Sequence, residues 1–509
     1  MIATLLLSLL APCQQLDALE DTLRAATDKS SYEKGAYSAA RELADLRSEE
    51  AMELRIDLFD EKLDTYKGVY LRDWFFSGYL KSNSPEEADL MAEAAANKKE
   101  SDWHRIILLH GLERCRATAS AKTLLQKSFL KAPMQVRRAW ASALSTMLVE
   151  KRLDFSSVKL RKGETAEGLI RKRLLECGVA DGYLLLDPLG TDATLALSKL
   201  ATDAKNAGDR AMAIRALGAH PNAWPQLEFA MPQVFARRDC GPRTALLETA
   251  VANHIFELTP KLILALKEEA KHTPNRFTAD IGATLRALTG QGFGDSPKMW
   301  QQWYQHDGAA WLEKVRANPS DAVTKLERRD RDTVARFFGL AVETSNVVVI
   351  VDGSGSMSIN KLGELSCASA AAVESGKFLE QLPKESLFQV IVVEEKPILG
   401  FKKLMPATKG NRAKAVKFLN SRPYRGASAL MEAFEAATTD PLVDTIILVS
   451  DGGSSAGKHQ YKGHMLDFAT RLHLRTGVRF HSVLVTDSDK HESFMRDLAE
   501  STGGRMVRP

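Results

Sequence analysis

The feature that most constrains the fold is a set of four strand-like runs in the last third of the chain. They are Val-Val-Val-Ile-Val at 347–351, Phe-Gln-Val-Ile-Val-Val at 388–393, Thr-Ile-Ile-Leu-Val at 445–449 and Phe-His-Ser-Val-Leu-Val at 480–485. β-Branched side chains suit an extended backbone, and a run without polar alternation leaves no face for water. Helix-forming stretches separate the runs, at 362–382, 412–419, 428–437, 465–475 and 492–499. Doubly buried strands alternating with helices require a doubly wound, Rossmann-like α/β domain with a mostly parallel sheet covered on both sides. Residues 396–403 and 505–507 are expected to add edge strands.

Before this domain the pattern is helix after helix. Good helix formers fill 86–97, and apolar residues recur at helical spacing around Trp103, Ile106, Ile107 and Leu109, and again around Trp140, Ala143, Leu144 and Met147. Further helices are expected from Ser31 onward and at 192–200, 209–217, 244–257, 259–270 and 276–288. Short helices joined by polar turns are the sequence form of an α-solenoid, so the fold class is an all-α solenoid-like region followed by the α/β domain. The segment Leu288-Thr-Gly-Gln-Gly-Phe-Gly-Asp-Ser-Pro297, followed by Trp300-Gln-Gln-Trp303, resembles the terminal segment of bacterial HEAT-like repeat proteins. Gly290 can end one helix in a left-handed conformation and Pro297 can open the next; Trp300 and Trp303 lie one turn apart and are expected to pack. A charge-dense stretch at 319–338 reads as a helix or connector.

With 509 residues the chain is too long for one core. The expected division is a leader at 1–15, a HEAT-like helical region at 16–341 and the α/β domain at 346–509. A formal charge of +4 gives no broad electrostatic reason to bind nucleic acid. The local patch Arg171-Lys172-Arg173 reads as a solvated helix face. Cys13, Cys115, Cys177, Cys240 and Cys367 are too scattered for a disulfide framework and are expected to be free thiols. The apolar run at 1–13 is too short to span a bilayer. It looks like the core of a secretion signal, and Leu10-Ala11-Pro12-Cys13 resembles a lipoprotein processing box, with Pro12 out of pattern. Processing would make the protein periplasmic, envelope-associated or secreted, with anchoring only through this leader. Unprocessed, the run is the first buried helix of a cytoplasmic protein. No other stretch suits a transmembrane segment.

In doubly wound sheets ligands sit at the carboxyl ends of strands. There the sequence places Asp352-Gly-Ser354-Gly-Ser356 after the first run and Asp451-Gly452 just after the third, and Gly426-Ala-Ser428 opens a helix. Carboxylates and hydroxyls with glycines between them form an all-oxygen ligand set. Such a set suits Mg²⁺, with Mn²⁺ and Ca²⁺ as alternatives. It leaves positions for water or for a partner's group.

These residues resemble the von Willebrand factor type A (VWA) family. Asp352, Ser354 and Ser356 match its D-x-S-x-S motif, Asp451-Gly452 matches its later aspartate, and Ser428 stands where the family usually has threonine. The resemblance covers about one third of the chain. It implies a MIDAS-type metal ion held by Asp352, Ser354, Ser356, Ser428 and Asp451, and metal-dependent adhesion or assembly with a protein that offers an acidic residue. The helical region would add docking surface. The alternatives are a scaffold that binds through its helices with a non-essential metal, and, remotely, a metal-assisted hydrolase. Catalysis would need a general base beside the ion, and the glycine-flanked serines supply none. Gly453-Ser-Ser455-Ala-Gly457 spells a nucleophile elbow but starts past the strand, without a clear helix after Ser455. No nucleotide-phosphate loop or His-Glu-x-x-His zinc motif is present. The chain reads as a non-enzyme.

Overall fold

The computed structural model describes residues 14–25, 34–60, 68–183, 191–220, 224–272, 276–318, 334–458, 461–486 and 488–509. The expected leader up to Cys13, the helix start at Ser31 and most of the 319–338 connector lie outside the described residues. The chain divides into two compact units, residues 1–189 with 459–461 and residues 190–458 with 462–509.

The first unit is almost wholly helical. Local sequence sets its helix starts. Ser84 caps Pro85–Ala96 by accepting the amide of Glu87 at 3.1 Å, and Ser101 caps Asp102–Arg114 by accepting that of His104 at 3.1 Å. Asp102–Arg114 packs against both Pro85–Ala96 and Met134–Val149, so each helix buries its apolar face on near neighbours. His104 is fully buried, stacked 4.2 Å from the Phe59 ring, which makes it a core histidine. One departure from the expected all-helical pattern is a two-residue parallel pair, Ala119–Ser120 with Leu153–Asp154. Such short pairing carries no sequence period.

The second unit joins helices to the α/β domain. Thr191–Asp203, Ala207–Gly218, Cys240–Ala252 and Arg276–Thr289 pack in succession. Gly290 has φ +73 after the last of these, Ser296 caps Pro297–Ala317, and Trp300 is fully buried with its indole N–H donating to the Gly294 carbonyl at 2.8 Å. The tryptophans therefore pack, as expected. The described residues ahead of the α/β domain are thus a long, almost wholly helical stretch of chain, consistent with an α-solenoid.

The α/β domain is built on seven strands: β1 (Asn346–Asp352), β2 (Leu387–Val393), β3 (Pro397–Leu399), β4 (Met405–Pro406), β5 (Thr445–Ser450), β6 (Arg479–Leu484) and β7 (Met506–Val507). Their order is β4-β2-β1-β5-β6-β7, and β3 also pairs with β2. The pairs β2–β1, β1–β5, β5–β6 and β6–β7 are parallel, whereas β3 and β4 run antiparallel to β2. Alternation with period two splits the strand side chains between two cores. Val347, Val349, Val351, Val390, Ile447 and Val483 face one core, with α2 (Cys367–Gln381) and α3 (Lys409–Asn420). Val348, Ile350, Ile391, Ile446, Leu448 and Phe480 face the other, with α4 (Leu430–Ala437), α5 (Lys462–Thr476) and α6 (Glu492–Glu500). A hairpin of Arg336–Phe337 and Leu340–Ala341 adds Phe337 and Leu340 to the first core. The expected edge strand at 396–403 is present but shorter, at Pro397–Leu399, a second short strand follows at Met405–Pro406, and the expected helix at 362–382 begins at Cys367. Residues 361–366 form a small hairpin there.

Within this unit the amino ends of the strands are sealed by helices. Arg276, fully buried, donates to the carboxylate of Asp280 at 2.9 Å, to the Gly477 carbonyl at 2.9 Å and to the Asp444 carbonyl. Arg479 at the start of β6 donates to the other Asp280 oxygen at 2.7 Å. Asp444 in turn accepts from the Thr344 hydroxyl at 2.6 Å and from the amides of Ser345 and Asn346. Burial alone would lower the affinity of Arg276 for its proton, but the surrounding negative groups outweigh it and hold the proton more firmly. Cys115, Cys177, Cys240 and Cys367 are buried free thiols.

Candidate functional site

Strand β1 ends at Asp352, and the chain must then turn away beside β2. A Cβ at position 353 would lie 2.7 Å from the Val393 carbonyl oxygen, which the Gly353 amide itself approaches for a hydrogen bond. Only glycine fits there. The loop then enters a short helix, α1 (Gly355–Ile359), that the strand-and-loop reading did not anticipate. Gly426, at φ +102, lets the second loop swing in until its carbonyl accepts the Gly355 amide at 3.4 Å.

Hydrogen bonds connect four of the five expected ligands. The Ser354 and Ser356 hydroxyls are 2.9 Å apart, and the Ser356 hydroxyl donates to Asp451 Oδ1 at 3.1 Å. Asp352 accepts the Ser354 amide at 2.8 Å through Oδ1. Ser428 belongs to the neighbouring loop. Its amide donates to the Ser455 hydroxyl oxygen at 2.9 Å, and its own hydroxyl lies 3.5 Å from both the Gly453 carbonyl and the Ser455 hydroxyl. Asp352 and Ser428 are each 1% exposed, Ser356 is exposed and Asp451 half-buried, so the cluster runs from a buried base to an open mouth.

Four residues in this network escaped the sequence reading. Ser450, a hydroxyl at the end of an apolar strand, donates to Asp352 Oδ2 at 2.6 Å. Asn360 donates to Asp451 Oδ2 at 2.7 Å. Ser454 and Ser455, within the Gly453–Gly457 stretch, bind the backbone of the Ser428 loop. Their type was visible, but their partners lie far off in the chain.

Burial pushes the Asp352 carboxyl up to about 6, against the opposing hydrogen bonds from Ser450 and Ser354, and Asp451 adds to the rise. His491, beside the Gly452–Gly453 turn, is held below the ordinary histidine range by burial and by Lys462 and Lys490, with Asp451 opposing. Among the described residues no group of three or more His, Cys, Asp or Glu gathers as a metal site. The candidate set has two carboxylates, and its remaining oxygens are hydroxyls. That donor chemistry fits a hard divalent cation and does not fit a soft one.

Residues 345–507 match the family model described as von Willebrand factor type A domain. No curated protein matches the chain. Among solved structures, the chain is similar to a von Willebrand factor type A protein from Catenulispora acidiphila, at 18% identity and TM-score 0.28, over 33% of this chain and 40% of that one. It is also similar to the manganese-loaded TRAP protein of Plasmodium vivax, at 16% identity and TM-score 0.25, over 32% of this chain and 67% of that one. A third similarity is to the RO (RSR) protein of Deinococcus radiodurans, at 14% identity and TM-score 0.21, over 92% of this chain and 89% of that one. The chain thus spans about two fifths of the first of these structures. Among the described residues no helix is long and apolar enough to cross a membrane. The C-terminal part of this chain is a VWA-family domain, a protein-interaction module rather than a catalytic one, and a long all-α region precedes it.

Proposed function

We propose that this protein grips an acidic group of a partner protein through one divalent cation held by Asp352, Ser354, Ser356, Ser428 and Asp451, with the helical region as a further docking surface. The observation that carries the reading is the linked set Ser354–Ser356–Asp451 above the buried Asp352 carboxylate, at the carboxyl ends of two adjacent parallel strands. Asp352 and Asp451 would hold the ion, Mg²⁺ foremost and Mn²⁺ or Ca²⁺ as alternatives, and the serine hydroxyls would complete its protein ligands. When bound, the cation supplies an incompletely neutralised positive charge that a partner's Asp or Glu can reach. Ser450 and the Ser354 amide orient Asp352, Asn360 orients Asp451, and Ser454 with Ser455 fix the Ser428 loop. One ionic contact supplies little specificity, so the surrounding loops and helices must supply area.

The test is calorimetric titration of Mg²⁺ and Mn²⁺ into the wild-type chain and Asp352→Asn, followed by partner capture with and without EDTA. The expected result is loss of metal binding in the variant and release of the partner by EDTA. A partner held equally with EDTA and by Asp352→Asn would overturn the metal grip.

A further inference from the structure

The first compact unit contains a cavity of about 630 Å³, open to solvent, lined by residues between Lys122 and Glu176. Six cationic side chains line it: Lys122, Lys127, Lys159, Arg161, Lys172 and Arg173. They come from separate segments, namely the short helices Ala121–Leu124 and Lys127–Leu130, the loop after Leu153–Asp154, and the helix Ala166–Cys177. A solvated helix face spreads like charges apart. Here the fold brings them together around one concavity, at a repulsive cost that a bound anion would remove.

The two acidic lining residues do not cancel this charge. Glu176 is engaged with Arg173 at 2.6 Å, and Glu164 accepts the backbone amide of Arg161 at 3.1 Å. Six basic side chains against two acidic ones leave a net four positive charges.

We infer that this cavity binds a compact ligand carrying two or more phosphate groups. Its volume is of small-ligand size. Lysine ammonium groups rotate to meet phosphate oxygens, and Arg161 and Arg173 add planar donors. Among the described residues the lining has no aromatic side chain on which a base could stack, so the phosphates and not a nucleobase are recognised. An extended acidic peptide would spread its charge beyond the cavity.

The experiment is calorimetry of the full chain with sodium tripolyphosphate, pyrophosphate and ATP, without added divalent cation, at low and at physiological ionic strength. Tripolyphosphate and ATP should bind with similar affinity, weakening as salt rises. The double variant Lys122→Gln/Lys172→Gln, which changes only exposed side chains, should weaken both by about tenfold or more. Lys267→Gln, on an exposed helix face in the other unit, should leave them unchanged. Lack of tripolyphosphate binding overturns the proposal, as does binding that the double variant leaves intact. So does binding of polyuridylic RNA or of polyglutamate without binding of tripolyphosphate.

Discussion

At the carboxyl ends of β1 and β5 the protein places Asp352, Ser354, Ser356 and Asp451, two of them open to water. At the amino ends of β5 and β6 it places Asp444, Arg276, Asp280 and Arg479, none more than 5% exposed. Both clusters are polar, and both use carboxylates. They differ in what satisfies them. Arg276 and Arg479 neutralise Asp280, and Arg276 caps the Asp444 and Gly477 carbonyls, so the carboxylate at that end has its countercharge without any ligand. At the other end Asp352 is desolvated with only neutral donors on it, and the nearest charge in its network is another carboxylate. A buried ionic network that is complete serves architecture; one that lacks its countercharge is suited to a ligand.

The largest expected effect breaks the closed end. Arg276→Met should destabilise the chain by about 3–5 kcal/mol, because it strands Asp280 beside Arg479 alone and orphans two carbonyls. Urea unfolding followed by circular dichroism measures it. A loss below about 1 kcal/mol would show that the closed end does not hold the fold together. Asp352→Asn should act oppositely. It removes a buried charge, so the metal-free variant should be no less stable than the parent. Mg²⁺ in about hundredfold excess over its Kd should stabilise the parent by about 2.7 kcal/mol and leave Asp352→Asn unmoved. Arg276→Met should keep its Mg²⁺ response. A Mg²⁺ response that Asp352→Asn retains in full would locate metal binding elsewhere.

The open end was legible in the sequence and the closed end was not, for a physical reason. Asp352-Gly-Ser354-Gly-Ser356 places three candidate ligands, one carboxylate and two hydroxyls, within five residues, and strand periodicity says where such a loop must lie. The strands themselves were legible because doubly buried runs have few alternatives. Arg276, Asp280, Asp444 and Arg479 looked like ordinary charges on a helix, a turn and a strand end. Their partnership exists only after helices and sheet have packed, over separations that carry no local period. The same holds for Asn360 with Asp451 and for the Lys122, Arg161 and Lys172 group. α1 was missed because five residues are too few to show periodicity.

The smallest expected effect sharpens the comparison through pH. His481 lies in β6, 3% exposed, between the two ends. Its Nδ1 accepts the Arg505 amide at 3.1 Å, and its Nε2 is buried with no hydrogen-bond partner among the described residues. Burial, reinforced by Arg479, Arg505 and Arg276, holds its pKa well below 6.5. Asp280 cannot offset these charges, since Arg276 and Arg479 already share it. The unfolded chain therefore takes up a proton near pH 6.5 that the folded chain refuses. This group leaves stability intact above that pH and removes it as pH falls through 6.5 toward the folded pKa. The slope approaches about 1.4 kcal/mol per pH unit once the unfolded histidine is fully protonated. His481→Asn offers an oxygen to the Arg505 amide without a titrating ring. Urea unfolding of parent and variant between neutral pH and mild acid, with EDTA present to keep the open end metal-free, should show the parent losing stability faster. Parallel curves would mean that the ring takes a proton without cost, and that the positive field at the closed end is weaker than its arginines imply.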